Sequence, residues 1–260
     1  MLTNAKLIPL LVWYEIKGYA HYPMEAFAGI ISVVVGFVTF LIFWVAVAHY
    51  GSGNVDVQRI VSYFLITNGL GVLMMYNLKM SSMLSDLVRT GGLNQILIKP
   101  ISPALYVYAL SRGDAALFFS TSLLTMVIGI IVRPAGGTIE PLKLIVALLS
   151  GLAISTSLNF MIATFSFYTN GGKDIKNTVL HGIRFLRGDL IPFYLLQTTA
   201  RSILTLLPFA ATAFVPASLI QGQSISWTVI LAHVVSSFAF VMAARAFWKI
   251  GIKRYEAVGI

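Results

Sequence analysis

The chain contains no cysteine. Disulfides, zinc–thiolate centres, iron–sulfur clusters and thiol nucleophiles are therefore excluded, while the redox compartment stays open. Charge is also scarce. Only 10% of residues are Asp, Glu, Lys or Arg, against about 25% in a soluble domain. Acids are the scarcest, 9 against 18 bases, for a net charge of +9. The bases do not gather into one run with interleaved aromatics, so a nucleic-acid partner is not expected. The four histidines (His21, His49, His181, His233) lack metal-ligand spacing. No phosphate-binding loop is present: Asn170 to Asp174 resembles one but lacks the upstream glycine and a Ser or Thr after Lys173. A nucleophile elbow and a paired-carboxylate site are also missing. The chain is expected not to hydrolyse ATP or to hold a cofactor or metal. Any pumping must be driven by a partner or an ion gradient. Nor is a signal peptide expected, because Leu7–Trp13 is a short apolar piece and is followed by Glu15 and Lys17.

What the chain has instead is oil. It is 58% hydrophobic, with a mean hydropathy of +0.86. A helix needs about 20 apolar residues to cross about 30 Å of hydrocarbon. Ala26–Ala48 meets that requirement without a single charge. Backbone in lipid must bond to itself, so such a run is helical. Further spans are expected at Ile60–Leu78, Ala104–Val132 (uncharged from Ala115), Leu142–Phe167 and Trp227–Trp248. The runs follow one another too closely for a separate soluble domain, so residues 1–260 read as one all-α integral membrane domain. Residues 1–22 read as an interfacial helix, with Leu7, Leu10, Leu11 and Tyr14 on one face and Lys6 and Lys17 at the headgroups. It is either a plain anchor or an elbow beside a partner.

One more crossing is needed between Ile175 and Gln221. Hydropathy alone places it at Leu190–Leu219, but Pro192, Pro208 and Pro216 interrupt that stretch and Arg201 lies inside it. The alternative crosses at Ile175–Leu190 and follows with a broken hairpin that dips into the outer leaflet. Six spans with both termini cytoplasmic put fourteen of the 18 Lys and Arg inside. Only Arg59, Arg133 and Lys143 fall outside, with Arg201 unassigned. That asymmetry is the positive-inside pattern.

Three polar features stand out. The loop Lys79–Pro103 carries Leu84, Leu87 and Val88 as one apolar stripe and Leu93, Ile96 and Leu97 as another. This predicts a short amphipathic cytoplasmic helix, lying on lipid or filling a groove in a soluble partner. Ala147, Gly151, Ser155 and Asn159 repeat at every fourth residue, a small-residue stripe that lets helix backbones approach. Asn68 and Asn159 are expected to bond between helices. His181, Arg184, Arg187 and Asp189 form the densest ionisable group near a membrane segment, read either as a substrate contact or as a cytoplasmic surface.

GLNQILIKPIS (Gly92–Ser102), LPFAATAFVPASLIQG (Leu207–Gly222) and WKIGIKRYEAVG (Trp248–Gly259) occur in an order and at distances that resemble the permease subunits of type-two ABC exporters. Within these, the chain resembles the six-span family that includes viologen-exporter permeases. Ile96 and Ile98 depart from that pattern, since related chains often carry an acid nearby. The resemblance implies a pair of permeases, identical or related, in a bacterial inner membrane, with two ATP-binding subunits docked beneath that carry ATP and Mg. It implies that the loop at 79–103 is the coupling helix, with Leu84, Leu87, Val88 and Arg89 as contacts. It also implies a broken re-entrant hairpin at 190–221, whose breaks Pro192, Pro208 and Pro216 would mark, and places Arg184, Arg187 and Asp189 in the outer half of the fifth span, facing a pathway. Two rivals need no ATPase: a secondary transporter, which would show an internal repeat, and a non-transporting scaffold. Cargo is not legible, because one architecture serves many substrates.

Overall fold

Proline and glycine punctuate this chain, and helices fill the intervals. The structure, a computed structural model, describes residues 23–50, 56–75, 79–168 and 172–255, together with Pro9, Trp13 and Lys17. The interfacial helix expected at 1–22 thus lies almost wholly outside the described residues. Among those described, every regular element is helical.

Helix α1 is Pro23–Tyr50 and opens on proline, whose missing N–H is an unbonded donor at that position in any case. Helix α2 is Val57–Met75, capped by Asp56 Oδ1, which accepts from the Gln58 amide at 2.9 Å. Two short helices follow, α3 at Lys79–Arg89 and α4 at Leu93–Leu97. Helix α5, Pro103–Val132, is continuous through Arg112 and Asp114. Helix α6, Pro141–Thr164, runs on into a 3₁₀ turn at Phe165–Phe167. Helix α7 is Gly172–Arg187, α8 is Thr198–Leu206, α9 is Phe214–Ile220 and α10 is Trp227–Ile252.

The two tightest pairings are α2 with α5 and α6 with α10. Small residues make the first possible. A Cβ on Gly129 would lie 2.8 Å from Ile66 Cγ1, and one on Gly69 would lie 2.7 Å from Met126 Cβ. At these contacts Ser62 donates to the Gly129 carbonyl at 2.8 Å and Ser122 to the Gly69 carbonyl at 2.6 Å. Small residues and cross-helix hydroxyl bonds are what hold helices together where lipid removes the hydrophobic drive.

The bundle has two distinct ends. At one, Arg59 lies over the Tyr194 ring, Arg133 donates to the Ile220 carbonyl at 2.7 Å, and Gln221 donates to the Arg59 carbonyl at 2.9 Å. At the other, α3 and α4 pack against the start of α5 and the ends of α6 and α10, through Met80, Leu84, Leu93, Val107, Phe160, Phe167 and Trp248.

The outward surface is apolar. Pro141–Phe167 and Trp227–Ile252 are long and apolar enough to cross a bilayer, and shorter apolar stretches occupy Val34–Val47 and Ser122–Val132. Only 22% of the most apolar window of α10 is buried. A core helix of a soluble protein would be enclosed, so these faces meet lipid or another chain.

Between Arg187 and Trp227 the chain departs from the simplest hydropathy reading. No single helix runs from Leu190 to Leu219. Instead the chain passes a 3₁₀ turn at Phe193–Leu195, then α8, a 3₁₀ turn at Pro208–Thr212, and α9. Pro192 and Pro208 begin the two turns. Pro216 does not mark a break: it sits in the first turn of α9, where an amide has no helical acceptor to lose.

Candidate functional site

Two regions gather the polar chemistry: the α3–α4 elbow and the interior around Arg187.

The elbow forms because α3 is amphipathic and α4 is too short to stand alone. Met80 and Leu84 are fully enclosed, Leu87 and Val88 are half-buried, and Arg89 is exposed with Asp86 at 3.5 Å. The α3 carbonyls are finished locally, with the Thr90 amide and hydroxyl both donating to the Asp86 carbonyl at 2.9 and 2.7 Å. Gly91 then turns the chain at φ 71°, a conformation a side chain would resist. Helix α4 buries Leu93 and Ile96 and turns Leu97 outward. Ile98, just past it, is 85% exposed. Lys99 Nζ is held against Tyr106, 3.0 Å from its hydroxyl. The stripe predicted as a contact surface therefore faces inward at Leu84: that side chain anchors the elbow and cannot itself touch a partner. The outward tip is Arg89, Thr90, Gln95, Leu97, Ile98 and Lys99.

The interior site begins with a helix ending. The Gly188 amide donates to the Phe185 carbonyl and the Asp189 amide to the Arg184 carbonyl, both at 3.1 Å, with Gly188 at φ 83°. This paired pattern around a left-handed glycine is a Schellman motif. It brings Arg187 and Asp189 together, with Nη1 and Oδ2 3.1 Å apart. The Arg187 side chain is 2% exposed and that of Asp189 is 13% exposed. Arg187 Nε also donates to Thr212 Oγ1 at 2.7 Å, and the Tyr63 hydroxyl donates to the Gly188 carbonyl at 2.9 Å. The Arg184 side chain, by contrast, is exposed. Neither the cytoplasmic-surface reading nor an open pathway position describes Arg187 in this single chain, where it is enclosed.

The small-residue stripe ends at the same place. Ala147, Gly151, Ser155 and Asn159 are all buried. A Cβ on Gly151 would collide with the Ala211 carbonyl oxygen and come within 3.4 Å of Thr212 Cα. The stripe thus admits the Pro208–Thr212 turn, and it converges with Arg187 on Thr212, a residue the sequence did not single out. Asn159 does not bond between helices as expected: its Nδ2 donates to Ser155 of its own helix at 2.8 Å.

The stretch from 190 to 221 is a hairpin. It leaves the Arg59 end at Tyr194, and α8 descends until the Thr205 carbonyl meets His233 Nε2 at 3.0 Å. The turn at Pro208–Thr212 lies level with Gly151, about 15 Å along α6 from Pro141 at 1.5 Å per residue. Helix α9 then climbs back to Ile220, where Arg133 caps it. His233 was overlooked in the sequence because a lone histidine carries no spacing. Its role follows from Pro208, which has no N–H to offer the last carbonyls of α8. His233 Nε2–H supplies one. His233→Ala should lower thermal stability in detergent by about 1–3 kcal/mol, as expected for an orphaned buried acceptor. His233→Gln, which restores a donor, should recover part of that loss.

Among the described residues, no three His, Asp or Glu cluster as a metal set. What the arrangement offers is mechanical: an exposed tip at one end, and a buried charge joining α7 to a hairpin that opens from the other. Comparison with known families matches residues 53–259 to a family described as ABC-2 family transporter protein. Among curated proteins, no relative matches the chain.

Proposed function

Since the chain belongs to the ABC-2 transporter family and is the membrane permease of an ABC-type transporter, we propose that it is one half of the pore of an ATP-driven exporter, paired with a second permease and driven through the α3–α4 elbow by separate ATP-binding subunits. ATP and Mg belong to those subunits. The chain crosses a bacterial inner membrane six times with both termini cytoplasmic, residues 1–22 lie along the inner surface, and the 190–221 hairpin re-enters the outer leaflet. The charge distribution supports this orientation. The elbow end carries Arg89, Lys99, Lys249, Lys253 and Arg254, while the opposite end carries Arg59, Arg133 and Lys143.

The observation that carries the coupling proposal is the elbow tip. Ile98 is 85% exposed beside Lys99, with Leu97 and Arg89 also outward. A large apolar side chain that protrudes beside a cation suits a groove in a soluble partner. The four coupling residues divide by role. Leu84 fixes the elbow to α5 and α6, Leu87 and Val88 line its edge, and Arg89 reaches the partner. ATP binding closes the ATPase pair, displaces the two elbows and biases the permeases toward an outward-open packing. Arg184, which is exposed, faces the pathway, whereas Arg187 and Asp189 brace its wall.

Ile98→Asp should leave the purified permease folded while cutting co-purification of the ATPase at least tenfold. Leu84→Asp should instead prevent stable insertion, because it places a charge in a closed apolar site. Normal assembly and turnover in Ile98→Asp would remove the elbow from the coupling role.

A further inference from the structure

One face of α10 changes character along its length. Leu231, Val235, Phe238 and Met242 are exposed at 58%, 69%, 69% and 65%. The same stripe continues as Arg245, Lys249 and Lys253, all exposed. The spacing, steps of three and four residues, keeps all seven on one side of the helix. No acid occurs in α10, and none of the three bases has an ion pair among the described residues.

The change falls at a meaningful depth. Trp227 opens the helix, and Arg245 lies eighteen residues on, about 27 Å at 1.5 Å per residue. Hydrocarbon is about 30 Å thick. The cations therefore begin where acyl chains give way to phosphates.

We propose that this face of α10 is a binding strip for an anionic phospholipid, with the phosphate on Arg245, Lys249 and Lys253 and an acyl chain along Met242, Phe238 and Val235. Charge argues for lipid over a second copy of the chain. A two-fold axis along the membrane normal brings each residue to its own counterpart at equal depth. Three cations with no ion pair among the described residues would then face three more at the membrane surface. Anionic headgroups neutralise them, and each Lys or Arg near such a surface strengthens attachment by about 1 kcal/mol, roughly fivefold.

The strip rests on the reading of α10 as a membrane span but not on any ATPase or transport. The test reconstitutes the full chain in phosphatidylcholine vesicles and compares spin-labelled phosphatidylglycerol with spin-labelled phosphatidylcholine by the fraction of motionally restricted label. The chain should prefer phosphatidylglycerol by about fivefold or more, less at high salt. Arg245→Gln/Lys249→Gln/Lys253→Gln should reduce the preference to near unity. A control with Arg89→Gln, Lys99→Gln and Arg254→Gln at the same end should keep it. Equal restriction of both lipids by the unaltered chain, or equal loss in both triple variants, overturns the proposal. So does efficient disulfide cross-linking of Phe238→Cys between copies, which would make the face a dimer contact. The chain has no native cysteine to confuse that readout. Loss of ATPase coupling with the lipid preference intact would count only against the transport reading.

Discussion

Arg187→Leu is expected to destabilise the chain by about 3–5 kcal/mol, the effect of leaving one member of a buried ion pair without its partner. The cause is local. Asp189 is held beside Arg187 by the Schellman turn at Gly188, and its carboxylate is largely enclosed with that one cation as its partner. The substitution also takes a donor from Thr212 Oγ1 and so loosens the hairpin turn from α7. Thermal unfolding in detergent micelles measures the effect. Arg187→Leu/Asp189→Leu should recover much of the loss, because two apolar groups can replace a buried pair. Arg187→Lys should fall between, since one ammonium cannot reproduce the fork that reaches Asp189 and Thr212 together. If Arg187→Leu melts with the unaltered chain, the pair is not a brace, and a pathway role for it regains ground.

The second large effect is expected at Gly151. Gly151→Leu should block formation of the hairpin, because even the Cβ would strike the Ala211 carbonyl. Neither side can yield cheaply: one is a helix backbone and the other is a turn whose Ala210, Ala211 and Thr212 are buried and whose Thr212 is tied to Arg187. Overpacking a well-filled site costs about 1–3 kcal/mol, and more where backbone must move. Gly151→Ala should already be measurable, and Gly151→Leu should abolish recovery of folded protein in detergent. Leu152→Ala, on the exposed side of the same helix, is the control that should change neither. Unimpaired folding of Gly151→Leu would mean that α6 and the hairpin are not in contact.

Different signals in the chain had different reach. The runs that became α6 and α10 were legible almost to the residue, because long apolar stretches bounded by proline, glycine and tryptophan have few alternatives. The four-residue stripe on α6 was legible as a close approach, but the occupant was not. Its small side chains receive a 3₁₀ turn from sixty residues further on, and spacing says nothing about partners that far along the chain. Prolines were ambiguous for a related reason. Pro208 starts a turn and Pro216 sits in the first turn of a helix, and both positions suit a residue without an N–H. At the elbow the apolar stripe was legible as apolar, but not that Leu84 within it turns onto the bundle. Leu84 and Ile98 have similar hydropathy, and only the fold distinguishes the one that is enclosed from the one that protrudes. Arg187 and Asp189 were visible in the sequence as members of one ionisable group. Their depth was not, because that depends on Tyr63, Gly71 and Thr212 closing around them.

The serine–glycine ties between α2 and α5 bear on how a push would travel. They sit two helical turns apart, Ser62 to Gly129 and Ser122 to Gly69, and each locks a hydroxyl onto the opposite backbone. Pinned at two heights, the helices resist both sliding and scissoring. The elbow follows one in the chain and precedes the other, so a thrust on it would tip both together as a single stiff plank.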